Sequence, residues 1–316
     1  ESRVEGYRNF STKLWNAARF CEMNGCHPVE SFDPSNVNES VNRWIIGKLR
    51  DAEIGTSKAI NSLRFNDIAG VLYHFTWGTF CDWYVELIKP ILNGSDKLAQ
   101  LETRATAAWV LDQILHLLHP IMPFVTEELW QQLSHKRNGP LITSSWPELD
   151  ENLCNADIDR EMDWVVRLIS QVRTVRSEMN VPAKAKVPLL IKDANHNTRA
   201  FMNDHYELII RLARLESLSH LEGEMPKGAV QDIIDEATMI LPIADVIDVK
   251  TEKARLEKEV DKLECEVIRF EKKLGNKNFI TNAPNNVVEK ERQRLSDACQ
   301  VRDKMNEALR RLLSVE

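Results

Sequence analysis

Apolar positions recur at helical spacing through the first half of the chain. In "GYRNFSTKLWNAARFC" the residues Tyr7, Phe10, Leu14, Ala17, Ala18 and Cys21 gather on one side of a wheel turned by about 100° per residue. Asn9, Thr12, Lys13, Asn16 and Arg19 gather on the other, and Phe20 falls among them. A second helix is expected in "NVNESVNRWIIGKLRDAEIGTSKAI", with Val41, Trp44, Ile45 and Leu49 inward. The third, "RFNDIAGVLYHFTWGTFCDWYVELIKPIL", is long and aromatic-rich and should end near Pro90 and the Asn93–Gly94 turn. "DKLAQLETRATAAWVLDQILHLLHP" is a fourth, stopped at Pro120, and "PFVTEELWQQL" a short fifth behind Pro123. Long helices joined by short loops predict an antiparallel bundle over 1–150. "RNGPLITSSWPELDENLCNAD" then breaks the periodicity and reads as a linker.

The pattern changes over 151–249. Ile158, Met162, Val165, Ile169, Val172 and Met179 predict a helix that ends before Pro182. "AKVPLLIKD" predicts a strand, "TRAFMNDHYELIIRLARL" one helix, and "GAVQDIIDE" with "ATMILPIADVIDV" two strands of a hairpin. The expected unit is small and α+β. Over 250–316 a third pattern takes over. Leu256, Val260, Leu263, Val267, Phe270 and Leu274 alternate spacings of four and three, which is a heptad seam. "GNKNFITNAPNN" interrupts it with Gly275 and Pro284. A second helix follows on Val288, Leu295, Ala298, Met305, Leu309 and Leu312, a seam interrupted by Glu291 and Arg302. Two such helices predict an antiparallel coiled-coil hairpin, each arm roughly 37 Å long at 1.5 Å per residue. The fold class is therefore mainly α: a bundle, a small α+β unit, then the hairpin.

The 316 residues, 43% hydrophobic and 28% charged, suit two or three globular domains. No run of eighteen apolar residues predicts a membrane span. The chain does not open with Met, and its start resembles neither a secretory nor a transit peptide, so it is read as a piece of a longer cytoplasmic protein. Six widely spread cysteines without a CxxC read as reduced thiols. Cys21, Cys26, His27 and Cys81 are a conceivable metal set, but their spacing is looser than structural zinc favours, and none is assigned. The net charge of −7 does not suggest a general nucleic-acid binder, yet charge is uneven: 250–316 holds 16 Lys and Arg against 13 Asp and Glu. No Gly-rich phosphate loop, GxSxG or HExxH occurs. His116 and His119, one turn apart, read as packing residues. The aromatic run from Tyr73 to Tyr84 reads as core, with a base-stacking platform as the alternative.

The polar stripe of the first helix carries more. Single-stranded RNA recognition needs planes for stacking, amides for base edges and cations for phosphates. Phe20, Arg19, Asn16, Asn9 and Lys13 supply all three. The alternative is structural: the polar groups bridge to neighbouring helices and Phe20 fills a gap against a loop.

"YRNFSTKLWNAARF", "FCDWYVELIKP" and "LLHPIMPFVTEELW" resemble the anticodon-binding bundle of the class I aminoacyl-tRNA synthetases that charge Val, Ile, Leu and Met. "LEKEVDKLECEVIRFEKKLGNKNFITNAPNNVVEKERQRL" resembles the C-terminal coiled coil of bacterial-type valyl-tRNA synthetases, and "LARLESL" and "ILPIADVIDV" fit the same family. The resemblance covers essentially the whole chain. It implies the C-terminal portion of an enzyme that attaches valine to its tRNA using ATP and Mg. Neither a HIGH-like nor a KMSKS-like signature occurs, so this piece should hold no cofactor and be inactive alone. The implied partner is valine tRNA, bound by a monomer away from membranes. Lys13, Arg19 and Phe20 match family residues that face the anticodon; Asn16 and Asn9 extend that set from the wheel. The arm implies contact with the tRNA corner through Lys253, Lys258, Lys262, Arg269, Lys272, Lys273 and Lys277, all off the heptad seam. An isoleucyl- or leucyl-type enzyme and a protein-binding coiled-coil scaffold are the competing readings.

Overall fold

A computed structural model of the chain describes residues 2–134, 139–282 and 284–313; at 2–5, 7, 277 and 278 it describes the backbone alone. Lys277 and Tyr7, named above for their side chains, thus lie outside the described residues. The chain divides into two compact units, up to Val166 and from Arg167 onward.

The first unit is helical. It comprises α1 (Ser2–Met23), α2 (Ser40–Asn61), α3 (Phe65–Tyr73), α4 (Val85–Leu92), α5 (Lys97–Leu118), α6 (Pro123–Leu133) and the first half of α7 (Ala156–Glu178). α5 is the central member: Ala107, Val110, Leu111, Ile114, Leu115, Leu117 and Leu118 are all buried. The Asp96 carboxylate starts it by accepting from the Leu98 and Ala99 amides at 2.9 and 3.1 Å. The predicted inward faces of α1 and α2 are buried, from Phe10, Leu14 and Cys21 to Trp44, Ile45 and Leu49. Asn42 sits fully buried among them. Its amide nitrogen donates to Glu102 and Thr103, both at 3.0 Å, and its oxygen accepts from the Tyr84 hydroxyl at 2.8 Å. A buried amide is tolerable only when satisfied in this way. Glu102 also accepts from the amides of Asn38 and Glu39, so α5 caps the start of α2.

The third helix departs from expectation. It is not one α-helix: residues His74–Tyr84 form a π-helical stretch between α3 and α4. π turns are rare and mostly single, and the 100° periodicity carries no sign of one. α4 then runs through Pro90 and ends at Leu92, just before the Asn93–Gly94 turn, as expected.

The second unit holds a four-stranded sheet of order β2-β1-β4-β3. β1 (Val187–Lys192) pairs in parallel with β2 (Leu215–His220) and antiparallel with β4 (Ala237–Pro242). β3 (Ala229–Ile234) and β4 form the expected hairpin around a two-residue turn, Asp235–Glu236, with Asp235 at φ 53°. Arg167 grips the Asp235 carboxylate through two bonds of 2.7 and 2.8 Å. Two features were not anticipated. The helix predicted over 198–215 breaks at His205 into α8 (His196–Asp204) and α9 (Tyr206–Ala213), and β2 follows at once. The β2 sequence "LESLSH" buries only Leu215 and Leu218, so it lacks strand alternation and had blended into the helix before it.

α10 (Val249–Gly275) and α12 (Asn285–Leu313) fold back on one another as the hairpin. The expected turn is itself partly helical, as α11 (Lys277–Asn282). Leu256, Val260 and Val267 meet Val288, Ala298, Ala308 and Leu312 in a buried seam. Glu291, which breaks the apolar pattern, is buried there too; Lys273 bonds it at 3.1 Å and Arg294 at 2.9 Å. At the root, Arg311 reaches Glu178 at 2.9 Å and Asp232 at 3.4 Å, while Arg255 donates to the Glu178 carbonyl at 3.4 Å.

Candidate nucleic-acid interface

Along α1, residues 9, 12, 13, 16 and 20 recur at helical spacing and so share one face. That face forms one wall of an open cleft of about 450 Å³. Asn9, Lys13, Asn16 and Phe20 all line it. The facing wall comes from the π-helical stretch, which contributes Trp77 and Cys81, and from α4, which contributes Val85 and Lys89. In the i→i+5 register residues four or five apart face the same way, so Trp77, Cys81 and Asp82 all turn toward α1.

Each end of the cleft has the same device. At one end the Lys13 ammonium lies 4.4 Å from the centroid of the Trp77 ring and is ion-paired with Asp82. At the other, the Lys89 ammonium lies 5.6 Å from the Phe20 centroid and bonds Glu86 at 2.5 Å. A cation over a ring face is attracted by the ring's quadrupole. Both rings are half-buried, so each presents surface while its edge is fixed. Trp77 is steadied from behind by Tyr73, 5.6 Å away, which itself stacks on Phe10 at 5.4 Å. Between the two ends the floor is Ala17, Val85 and Cys81. Burial pushes the Cys81 thiol up to about 12, so it is a neutral wall and not a thiolate.

Of the five α1 residues singled out in the sequence, four meet in this cleft. Arg19 is exposed but is not among its lining residues. Lys89 was missed. Of the aromatic run, which reads as core with a base-stacking platform as the alternative, Phe75, Phe80 and Tyr84 are buried, whereas Trp77 is half-buried and lines the cleft. His116 and His119 are packing groups: one ring nitrogen of His116 bonds the Asp112 carbonyl and one of His119 the Thr126 hydroxyl, both at 2.8 Å. Cys21, Cys26 and Cys81 are buried, His27 is exposed, and among the described residues no group of three or more His, Cys, Asp and Glu is arranged to hold a metal.

On the hairpin, Lys258, Lys262, Arg269 and Lys272 are exposed and Lys253 is half-buried. Arg269 lies against the Phe270 ring at 5.1 Å. Lys273 is turned across the hairpin to Glu291 and lies 5.1 Å from the Phe279 ring.

Two protein families match the chain. Residues 42–191 match the anticodon-binding domain of tRNA ligase, and residues 248–313 match the valyl tRNA synthetase tRNA binding arm. Among curated proteins, the valine–tRNA ligase of Caulobacter vibrioides is 46% identical over all of this chain and 35% of its own length. That of Brucella suis is 45% identical over all of the chain and 34% of its own length, and that of Zymomonas mobilis 43% over 99% and 36%. The chain thus spans about a third of the length of the curated relatives it matches. It belongs to the valyl-tRNA synthetase family, of which it carries the anticodon-binding domain and the tRNA-binding arm.

Proposed function

We propose that this chain is the RNA-reading C-terminal part of an enzyme that attaches valine to its tRNA with ATP and Mg, and that the α1 cleft reads the valine anticodon. The observation that carries the reading is the cleft itself. Two aromatic faces, two ammonium groups and two amide side chains meet in one hollow, whose wall from Trp77 to Lys89 lies within the stretch that matches the anticodon-binding domain and whose α1 wall precedes it. Unstacked bases take such rings as platforms, amides as edge partners and ammonium groups as phosphate partners. In this reading the two lysines cover the ring faces in the free protein and swing to phosphates when bases arrive. Arg19, just outside the cleft, reaches the same loop from its rim. The exposed cations of the hairpin, with Lys253, Lys273 and Lys277, brace the corner of the tRNA. The working division remains 1–150 for the anticodon domain, 151–249 for the α+β part and 250–316 for the arm. The chain acts as a cytoplasmic monomer; among the described residues no helix is long and apolar enough to cross a membrane.

Filter binding of a valine tRNA transcript against one with a swapped anticodon tests the reading. A preference of tenfold or more is expected, and Phe20→Ala should remove roughly 1–3 kcal/mol of binding, the usual worth of one base–aromatic stack. Equal binding of the two transcripts, or a Phe20→Ala protein that melts many degrees lower with its preference intact, would overturn it.

A further inference from the structure

The second unit contains a basic hollow of about 330 Å³ that the cleft and the arm leave unexplained. Three of its lining residues are arginines: Arg173 and Arg176 from the last turns of α7 and Arg214 from the corner between α9 and β2. Ser177 and Ala183 also line it. Arg176 is only 7% exposed. It donates to the carbonyls of Ala185 at 2.7 Å, Arg214 at 3.3 Å and Pro182 at 3.4 Å. Arg214 donates to the Ala183 carbonyl at 2.9 Å, and Arg173 to that of Leu212 at 3.1 Å. Carbonyls orient the Arg176 and Arg214 guanidinium groups without cancelling their charge. The lining includes neither Asp nor Glu. Burial first, and the Arg214 charge second, hold Arg176 below the usual arginine range, as expected when two cations face one space without an anion. Lys184 and Arg211, next in sequence to the lining residues Ala183 and Leu212, are exposed, as is Lys186. In a chain of net charge −7 this is a local concentration of positive charge.

We propose that this hollow seats a backbone phosphate of the bound RNA, a contact separate from the anticodon cleft and the arm; it rests on the reading of the chain as an RNA binder. Guanidinium is the side chain best matched to phosphate oxygens, because its planar donors meet two of them at once. Arg176 is already held by carbonyls and supplies charge from behind. Arg214 is exposed and supplies the donors. Exposed cations next in sequence to the lining suit a continuous phosphodiester chain better than one small anion.

The test measures affinity for a valine tRNA transcript across a salt series, for the full chain and two variants. Arg214→Gln should weaken binding roughly three- to tenfold at about 0.1 M salt and flatten the log K against log salt slope by about 0.7–0.9, the value of one phosphate contact. The preference for the valine anticodon should not change. Ser177→Glu keeps all three arginines and puts a carboxylate in the hollow, so it should weaken binding at least as much. If both variants keep their melting temperature and bind like the unmodified chain, the seat is wrong and the arginines are only structural ties. If the unmodified chain binds no tRNA, the RNA-binding reading falls and the seat with it. Inorganic phosphate, titrated at constant ionic strength, should bind more weakly than millimolar. Tight binding of free phosphate with tRNA affinity unaffected by either variant would reassign the hollow to a small anion and overturn the proposal.

Discussion

Lys13 faces two ways at once: its ammonium pairs with Asp82 and covers the Trp77 ring. The pair is partly exposed, with 30% of the Lys13 side chain and 42% of the Asp82 side chain open to solvent. Such pairs contribute about 0–1 kcal/mol, so Lys13→Ala should hardly move the melting temperature. Its effect on RNA binding should be larger. Removing the ammonium loses one phosphate partner and also leaves the Asp82 carboxylate beside the polyanion. Lys13→Ala is therefore expected to weaken tRNA binding by more than tenfold, and adding Asp82→Asn should recover at least threefold of that. Filter binding of the two single variants and the double variant reads this directly; a double variant no better than Lys13→Ala would mean Asp82 does not face the RNA. The sequence made Lys13 legible because one helix face can be drawn from spacing alone. It could not show that Asp82, Trp77 and Lys89 face α1, because they come from a distant stretch of the chain, Trp77 and Asp82 in a π-helical register and Lys89 on α4.

At the scale of elements, Glu291 shows how a polar residue fits an apolar seam. Its bond from Lys273 is the largest influence, and with Arg294 it holds the carboxyl below the usual glutamate range despite desolvation. A lowered folded value stabilises the ionised arm at every pH above the unfolded value of about 4.3. That contribution then fades as pH falls through the lower folded value. Glu291→Gln should therefore melt below the unmodified chain at pH 7, with the gap closing as pH is taken from 5 to 3. Thermal melts followed by helical circular dichroism across that range check it, and a constant gap would show that the charge is irrelevant to the seam. The heptad spacing announced both long helices of the arm, because a buried stripe leaves a period in the sequence. It read Glu291 as an interruption, because spacing does not reveal a cross-hairpin cation. The same limit hid β2 and the break at His205: six residues that bury two side chains leave too little pattern to separate from the helix before them.

At the scale of the molecule, the arm and the cleft belong to different units, and their contributions to RNA binding should separate. α10 has 27 residues, which is about 40 Å at 1.5 Å per residue. Its root cannot simply be deleted. Leu256, Ala308 and Leu312 are buried, and Arg311 holds Glu178 and Asp232 there, so removing the whole arm would leave carboxylates and apolar surface behind. A shortened arm avoids this. The Lys273–Glu291 pair fixes the register of the antiparallel hairpin, and extending it toward the root places Leu263 opposite Val301. Replacing 264–300 by a short Gly-containing turn keeps the root and removes Arg269, Lys272, Lys273 and Lys277. Each phosphate contact is worth a slope of about 0.7–0.9 in log K against log salt. If the distal arm braces the tRNA, the shortened protein should bind more weakly and its slope should flatten by about two units. Its preference for a valine anticodon over a swapped one should persist, because α1, α4 and the π-helical stretch are untouched. Salt-series filter binding of both transcripts gives both quantities. An unchanged slope would take the distal arm off the RNA and leave its exposed cations to a protein partner, and a lost preference would show that arm and cleft do not act independently.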